Sequence, residues 1–150
     1  MKEREILYQG NDTDRGRVPE IIEKLFSSLE EVADDYHARS AESSSFGDVL
    51  VRYRVRDVFF VVIRDRDHWG VEIRFRDEEP LAYWSVYRVI GESDSDLPKF
   101  DQVIRWLSHN VEQVVSEIEN ESVRDRVRCD MRVVSHNRFP GLFAERQDDS

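Results

Sequence analysis

The run Val58-Phe59-Phe60-Val61-Val62-Ile63 constrains this chain more than any other stretch. It is too short to cross a bilayer, which takes roughly 20 apolar residues, and its β-branched and aromatic side chains favour a strand. A continuous apolar strand is buried on both faces, so this one is expected at the centre of a sheet. On one side of it, Val49, Val51, Tyr53 and Val55 alternate with Leu50, Arg52, Arg54 and Arg56. On the other, Trp69, Val71, Ile73 and Phe75 alternate with Gly70, Glu72, Arg74 and Arg76. Period-two alternation marks half-buried strands with one apolar face, and here the opposite face is rich in arginine. Leu81 to Ile90 reads as a closing strand, with Trp84, Val86 and Ile90 on one side and Tyr83, Ser85, Tyr87 and Val89 on the other.

Asp65-Arg66-Asp67 and Asp77-Glu78-Glu79-Pro80 carry turn chemistry, because aspartates accept backbone hydrogen bonds and proline ends pairing. Arg56-Asp57 is the one break available between the first two strands, and it has no glycine to supply positive φ. The stretch from 49 to 90 is therefore expected to form a four-stranded antiparallel meander, or a three-stranded one if Val49 to Arg64 is a single bent strand.

Helical spacing flanks this sheet. Pro19 suits a first helical position, and Ile22, Leu25, Leu29, Val32 and Tyr36 step along one stripe, predicting a helix over about 19–38. Phe100, Val103, Ile104, Leu107, Val111, Val114, Val115 and Ile118 predict a second helix over about 97–119. Ser122 as N-cap, followed by Val123, Val127, Met131 and Val134, predicts a third over about 122–136. The order implies one α+β domain over 1–150, with the helices on the apolar sheet face in a two-layer sandwich. Residues 1–17 form a polar lead in which Ile6-Leu7-Tyr8 is either an edge strand or an ordered arm. Phe139 to Phe143 is expected to pin the C-terminus, and residues 144–150 are expected to be a disordered tail.

The chain has 32 acidic and 22 basic residues and a net charge of −10, and only Lys2, Lys24 and Lys99 are lysine. Such acidity disfavours nucleic acid and anionic membranes and favours basic partners. Scarce lysine beside abundant Asp, Glu and Val fits a protein held soluble at high salt, and equally an arginine-biased genome. The single Cys129 excludes an internal disulfide and a cysteine zinc site. The N-terminal residues lack a secretory signal's apolar core, so a cytoplasmic location is expected.

No phosphate loop, CxxC pair or nucleophile elbow is present, so neither enzymatic activity nor a cofactor is expected. The leading expectation is a protein-binding module whose Glu30, Glu31, Asp34 and Asp35, or whose linker residues Glu92, Asp94 and Asp96, meet a basic partner. Glu30-Glu31 and Asp34-Asp35 also place like charges at i,i+4 on the first helix, a local repulsion. An alternative is a nucleic-acid or nucleotide-binding domain using Arg52, Arg54, Arg74 and Arg76, with Tyr53 or Trp84 for stacking. Against this, the same arginines fit ion pairs with Asp57, Glu72 and Asp77. A third reading is a metal-assisted hydrolase at Asp65, Asp67 and His68, against which stands a plain solvated hairpin tip. An unpaired edge strand makes a homodimer a further expectation. In outline the helix–sheet–helix order resembles two groups of small acidic non-enzymatic proteins, toxin-neutralising immunity proteins and dedicated secretion chaperones. That resemblance implies a protein partner.

Overall fold

The computed structural model describes residues 18–41, 48–65, 68–94 and 98–138. In chain order these form α1 (Glu20–Val32), β1 (Asp35–Ala41), β2 (Asp48–Val55), β3 (Val58–Asp65), β4 (His68–Phe75), β5 (Leu81–Ala82), α2 (Tyr83–Ile90), α3 (Phe100–His109), α4 (Val111–Ile118) and α5 (Glu121–Arg138). The strands make one antiparallel sheet in sequence order, so β3 is central, as its apolar run requires. The fold class expected from sequence is the one observed, α+β with helices layered on an antiparallel meander, but the sheet has five strands rather than four or three. The lead 1–17, the segment Phe139–Phe143 and the tail 144–150 lie outside the described residues.

Alternation in β2, β3 and β4 sends Val51, Tyr53, Val58, Phe60, Val62 and Ile73 to one face, each fully buried. Ile22, Leu25, Phe26 and Leu29 of α1 meet them, and Val86 of α2, Leu107 of α3, Val114 of α4 and Val127 of α5 join the same core. Every described helix therefore contributes its apolar stripe to one side of the sheet.

Four boundaries differ from the sequence expectation. The first helix ends at Val32, not near 38, because Ala33 turns extended (ψ 136°). The Asp34 N–H then donates to the Arg54 carbonyl at 2.7 Å, and the chain continues as β1 beside β2. Tyr36 does reach the core, but from a strand, its ring 5.2 Å from that of Tyr53. The like-charge i,i+4 pairs therefore do not exist, since Asp34 and Asp35 are not helical. Pro19 stands one residue before the helix, its carbonyl accepting the Ile22 and Glu23 N–H groups at 3.0 Å.

The closing strand is reduced to Leu81–Ala82, and Tyr83–Ile90 is helical. Its β-branched and aromatic composition looks like a strand, but the pairs Tyr83/Tyr87 and Val86/Ile90 also hold i,i+4 spacing. Packing favours the helix: Val86 is fully buried, Tyr83 meets Phe100 edge-on at 5.3 Å, and Tyr87 meets Trp106 at 5.2 Å.

The helix expected over 97–119 is two, divided at Asn110 (φ −135°, ψ 27°). The Asn110 side-chain amide donates to the Trp106 carbonyl at 2.8 Å, the local competition with the helical ladder that asparagine favours. The last helix begins at Glu121, where Asn120 rather than Ser122 supplies the cap. Its Oδ1 accepts the Ser122 N–H at 2.9 Å and the Ser122 hydroxyl at 3.0 Å.

Candidate functional site

One residue on, the same alternation builds the opposite face. The cross-strand pairs Leu50↔Ile63, Arg52↔Val61 and Arg54↔Phe59 join β2 to β3, and Ile63↔Gly70, Val61↔Glu72 and Phe59↔Arg74 join β3 to β4. Phe59, Val61 and Ile63 thus form an apolar row along the central strand, flanked by Arg52 and Arg54 on one neighbour and by Glu72 and Arg74 on the other, with Leu50 and Gly70 at the Ile63 end. None of the three joins the helix-covered core, and no described helix lies over them. The result is a trough of about 820 Å³ lined by five arginines, from Arg52 to Arg76, and three carboxylates, Asp57, Glu72 and Asp77. The expectation that β3 is buried on both faces therefore meets a structure in which the described residues cover only one. Phe59 and Ile63 remain half-buried, and Val61 between them is 9% exposed.

The arginines are spent unequally. Arg74 pairs with Glu72 at 3.0 Å, and its Nε is buried without a hydrogen-bond partner among the described residues. Arg76, at positive φ in the turn after β4, pairs with Asp57 at 3.2 Å. Arg56 also takes positive φ (55°) in the two-residue β2–β3 turn. Its guanidinium engages Glu119 of the α4–α5 junction at 2.6 and 3.2 Å. The Glu119 hydrogen bond, followed by its charge, holds Arg56 above its ordinary pKa. Arg52 instead lies over the Phe59 ring at 5.4 Å, and Arg54 donates to the Arg56 carbonyl at 3.0 Å. Among the described residues no carboxylate pairs with either.

Arg52, Arg54, Arg74 and Arg76, the four arginines of the sequence reading, are therefore brought together around one trough, but two of them are already neutralised by carboxylates. The stacking residues assigned to them are not there. Tyr53 is fully buried on the other face, its hydroxyl donating to Glu30 at 2.8 Å, and Trp84 belongs to α2 in the helix layer. Phe59, hidden in sequence within the apolar run, is the aromatic residue that the trough contains.

The acidic candidates do not form one patch of free carboxylates. Glu30 accepts from Tyr53. Asp34 accepts the Arg56 N–H at 2.7 Å, and Asp35 accepts the Tyr36 N–H at 2.9 Å. Glu31, Glu92 and Asp94 are exposed, and Asp96 lies outside the described residues. Asp65 and His68 face each other across the β3–β4 hairpin, both exposed, while Asp67 is outside the described residues. No group of three or more potential metal ligands occurs among the described residues, and no described helix is long and apolar enough to cross a membrane.

Compared with protein-family models, curated proteins and solved structures, the chain matches none.

Proposed function

We propose that the protein is a non-enzymatic binding module, toxin-neutralising or chaperone-like, that holds a polypeptide partner on the uncovered face of its sheet. One observation carries this reading. The central strand has the composition of one buried on both faces, yet only one face is covered among the described residues. Phe59 and Ile63 are only half-buried on that face, and a docked partner removes their remaining apolar area from water, worth about 25 cal/mol per Å². The expectation of a basic partner rests on the net charge of −10. The trough has the opposite local sign, and the contact is placed there. Exposed Glu31, Glu92 and Asp94 then serve solubility. A nucleic acid is disfavoured by the net charge and by the absence of Tyr53 and Trp84 from this face.

The test compares wild type with Gly70→Trp in crosslinked capture from the native cell. An added Cβ at Gly70 meets no atom within 4 Å, and the residue shares the parity of Glu72 and Arg74 beside Ile63, so the substitution adds its bulk on the trough face. A polypeptide crosslinked through β2–β4 in wild type and lost in the variant supports the reading. A polypeptide retained equally by both proteins removes the face from it. Purified protein that captures no polypeptide yet turns over a metabolite ends it.

A further inference from the structure

We infer that the occupant of this face is an amphipathic helix with carboxylates along its flank. The inference rests on the binding-module reading and adds the partner's chemistry. Every residue of β3 from Phe59 to Ile63 is paired on both sides, to β2 and to β4. A ligand lying on the face finds no strand edge to extend and must satisfy its own backbone, which a helix does and an extended peptide does not.

The dimensions agree. Phe59 to Ile63 is two steps of about 6.6 Å along β3, a row of roughly 13 Å that two to three helical turns of 5.4 Å pitch would cover. The rows on β2 and β4 run about 4.8 Å to either side, within reach of a helix about 10 Å across seated on β3. Such a helix would add a third layer, the arrangement that buries both faces of a sheet.

Charge selects the flank. Arg52 and Arg54 stand side by side in parity on β2 and spend their guanidinium groups on a ring and a carbonyl. A carboxylate is the stronger partner for both, because hydrogen bonds between ionised groups are roughly twice as strong as neutral ones. At the other end, Gly70 opposite Ile63 leaves the wall open, a notch suited to a large apolar side chain.

The probes are two labelled synthetic peptides, identical in a leucine face and differing only in glutamate or lysine on the flank, read by fluorescence anisotropy. The glutamate peptide is expected to bind wild type more tightly, and less so as salt rises. The double variant Arg52→Glu, Arg54→Glu is expected to lose about fivefold to thirtyfold in affinity for it and to gain for the lysine peptide. Gly70→Val, whose added Cβ finds open space, serves as a second variant and should weaken both peptides. A lysine peptide that binds wild type as well as the glutamate peptide overturns the inference. So does a single-stranded oligonucleotide that outcompetes the glutamate peptide. If the peptides fail but Gly70→Trp still releases the captured polypeptide, the inferred chemistry fails while the binding face stands. If Gly70→Trp releases nothing, the binding-face reading itself fails.

Discussion

Arg56 and Glu119, 63 positions apart, close a two-point ion pair that ties the β2–β3 turn to the junction of α4 and α5. The turn needs the tie because Arg56 sits at φ 55°, where a Cβ is disfavoured and asparagine is tolerated better than arginine. Glu119→Ala removes the pair and keeps the backbone cost, whereas Arg56→Asn removes both. Arg56→Asn is therefore expected to melt no lower than Glu119→Ala. A clearly lower midpoint would show that the φ of Arg56 carries no strain.

Arg124 is the other long-range anchor, with its side chain 8% exposed. It stacks 3.8 Å over Phe75 and donates to Glu78 at 3.2 Å and to the Ile118 carbonyl at 2.8 Å. Arg128 reaches the same Glu78 at 2.9 Å but is more exposed. Arg124→Met strands a buried carbonyl and should cost about 1 to 3 kcal/mol, whereas Arg128→Met should cost under about 1 kcal/mol. Urea unfolding of the two variants measures the difference, and equal losses would contradict the anchor role.

Tyr83, packed against Phe100, has its phenol pKa raised above 10.0 by burial. The unfolded chain ionises first, so the contribution of Tyr83 is intact below pH 10 and is lost as pH rises through the folded value. Stability is expected to fall above pH 10, and less steeply in Tyr83→Phe. Parallel alkaline denaturation curves for the two proteins would refute this.

Salt tests the acidic surface. The Debye length shrinks from about 10 Å at 0.1 M to 3 Å at 1 M, screening the self-repulsion of a chain with net charge −10. It also weakens exposed pairs such as Arg76–Asp57, each contributing about 0–1 kcal/mol. Without the i,i+4 pairs of Glu30 and Glu31 with Asp34 and Asp35, the expected rise in melting temperature from low to 1 M potassium chloride comes chiefly from net charge. A flat or falling midpoint would mean that the local pairs dominate.

Local periodicity determined the parts of this protein in which each residue's environment repeats. The alternation of β2 and β4 and the stripes of α3, α4 and α5 follow from side chains that must face one core, the apolar run of β3 marks the centre of the sheet, and the parity of Arg52, Arg54 and Arg74 follows with the alternation. Tertiary structure decided the places where two periods compete. Tyr36 satisfies a helical stripe on α1 and a strand alternation on β1, and pairing with β2 favours the strand. Tyr83 to Ile90 has strand composition and helical spacing, and contacts with Phe100, Trp106 and the core favour the helix. The positive φ of Arg56 is held by Asp34 and Glu119, neither of them nearby in sequence. Which arginines of the trough are neutralised depends on register and on distant carboxylates. That is why the arginine face was legible in the sequence while its division into paired and unpaired members was not.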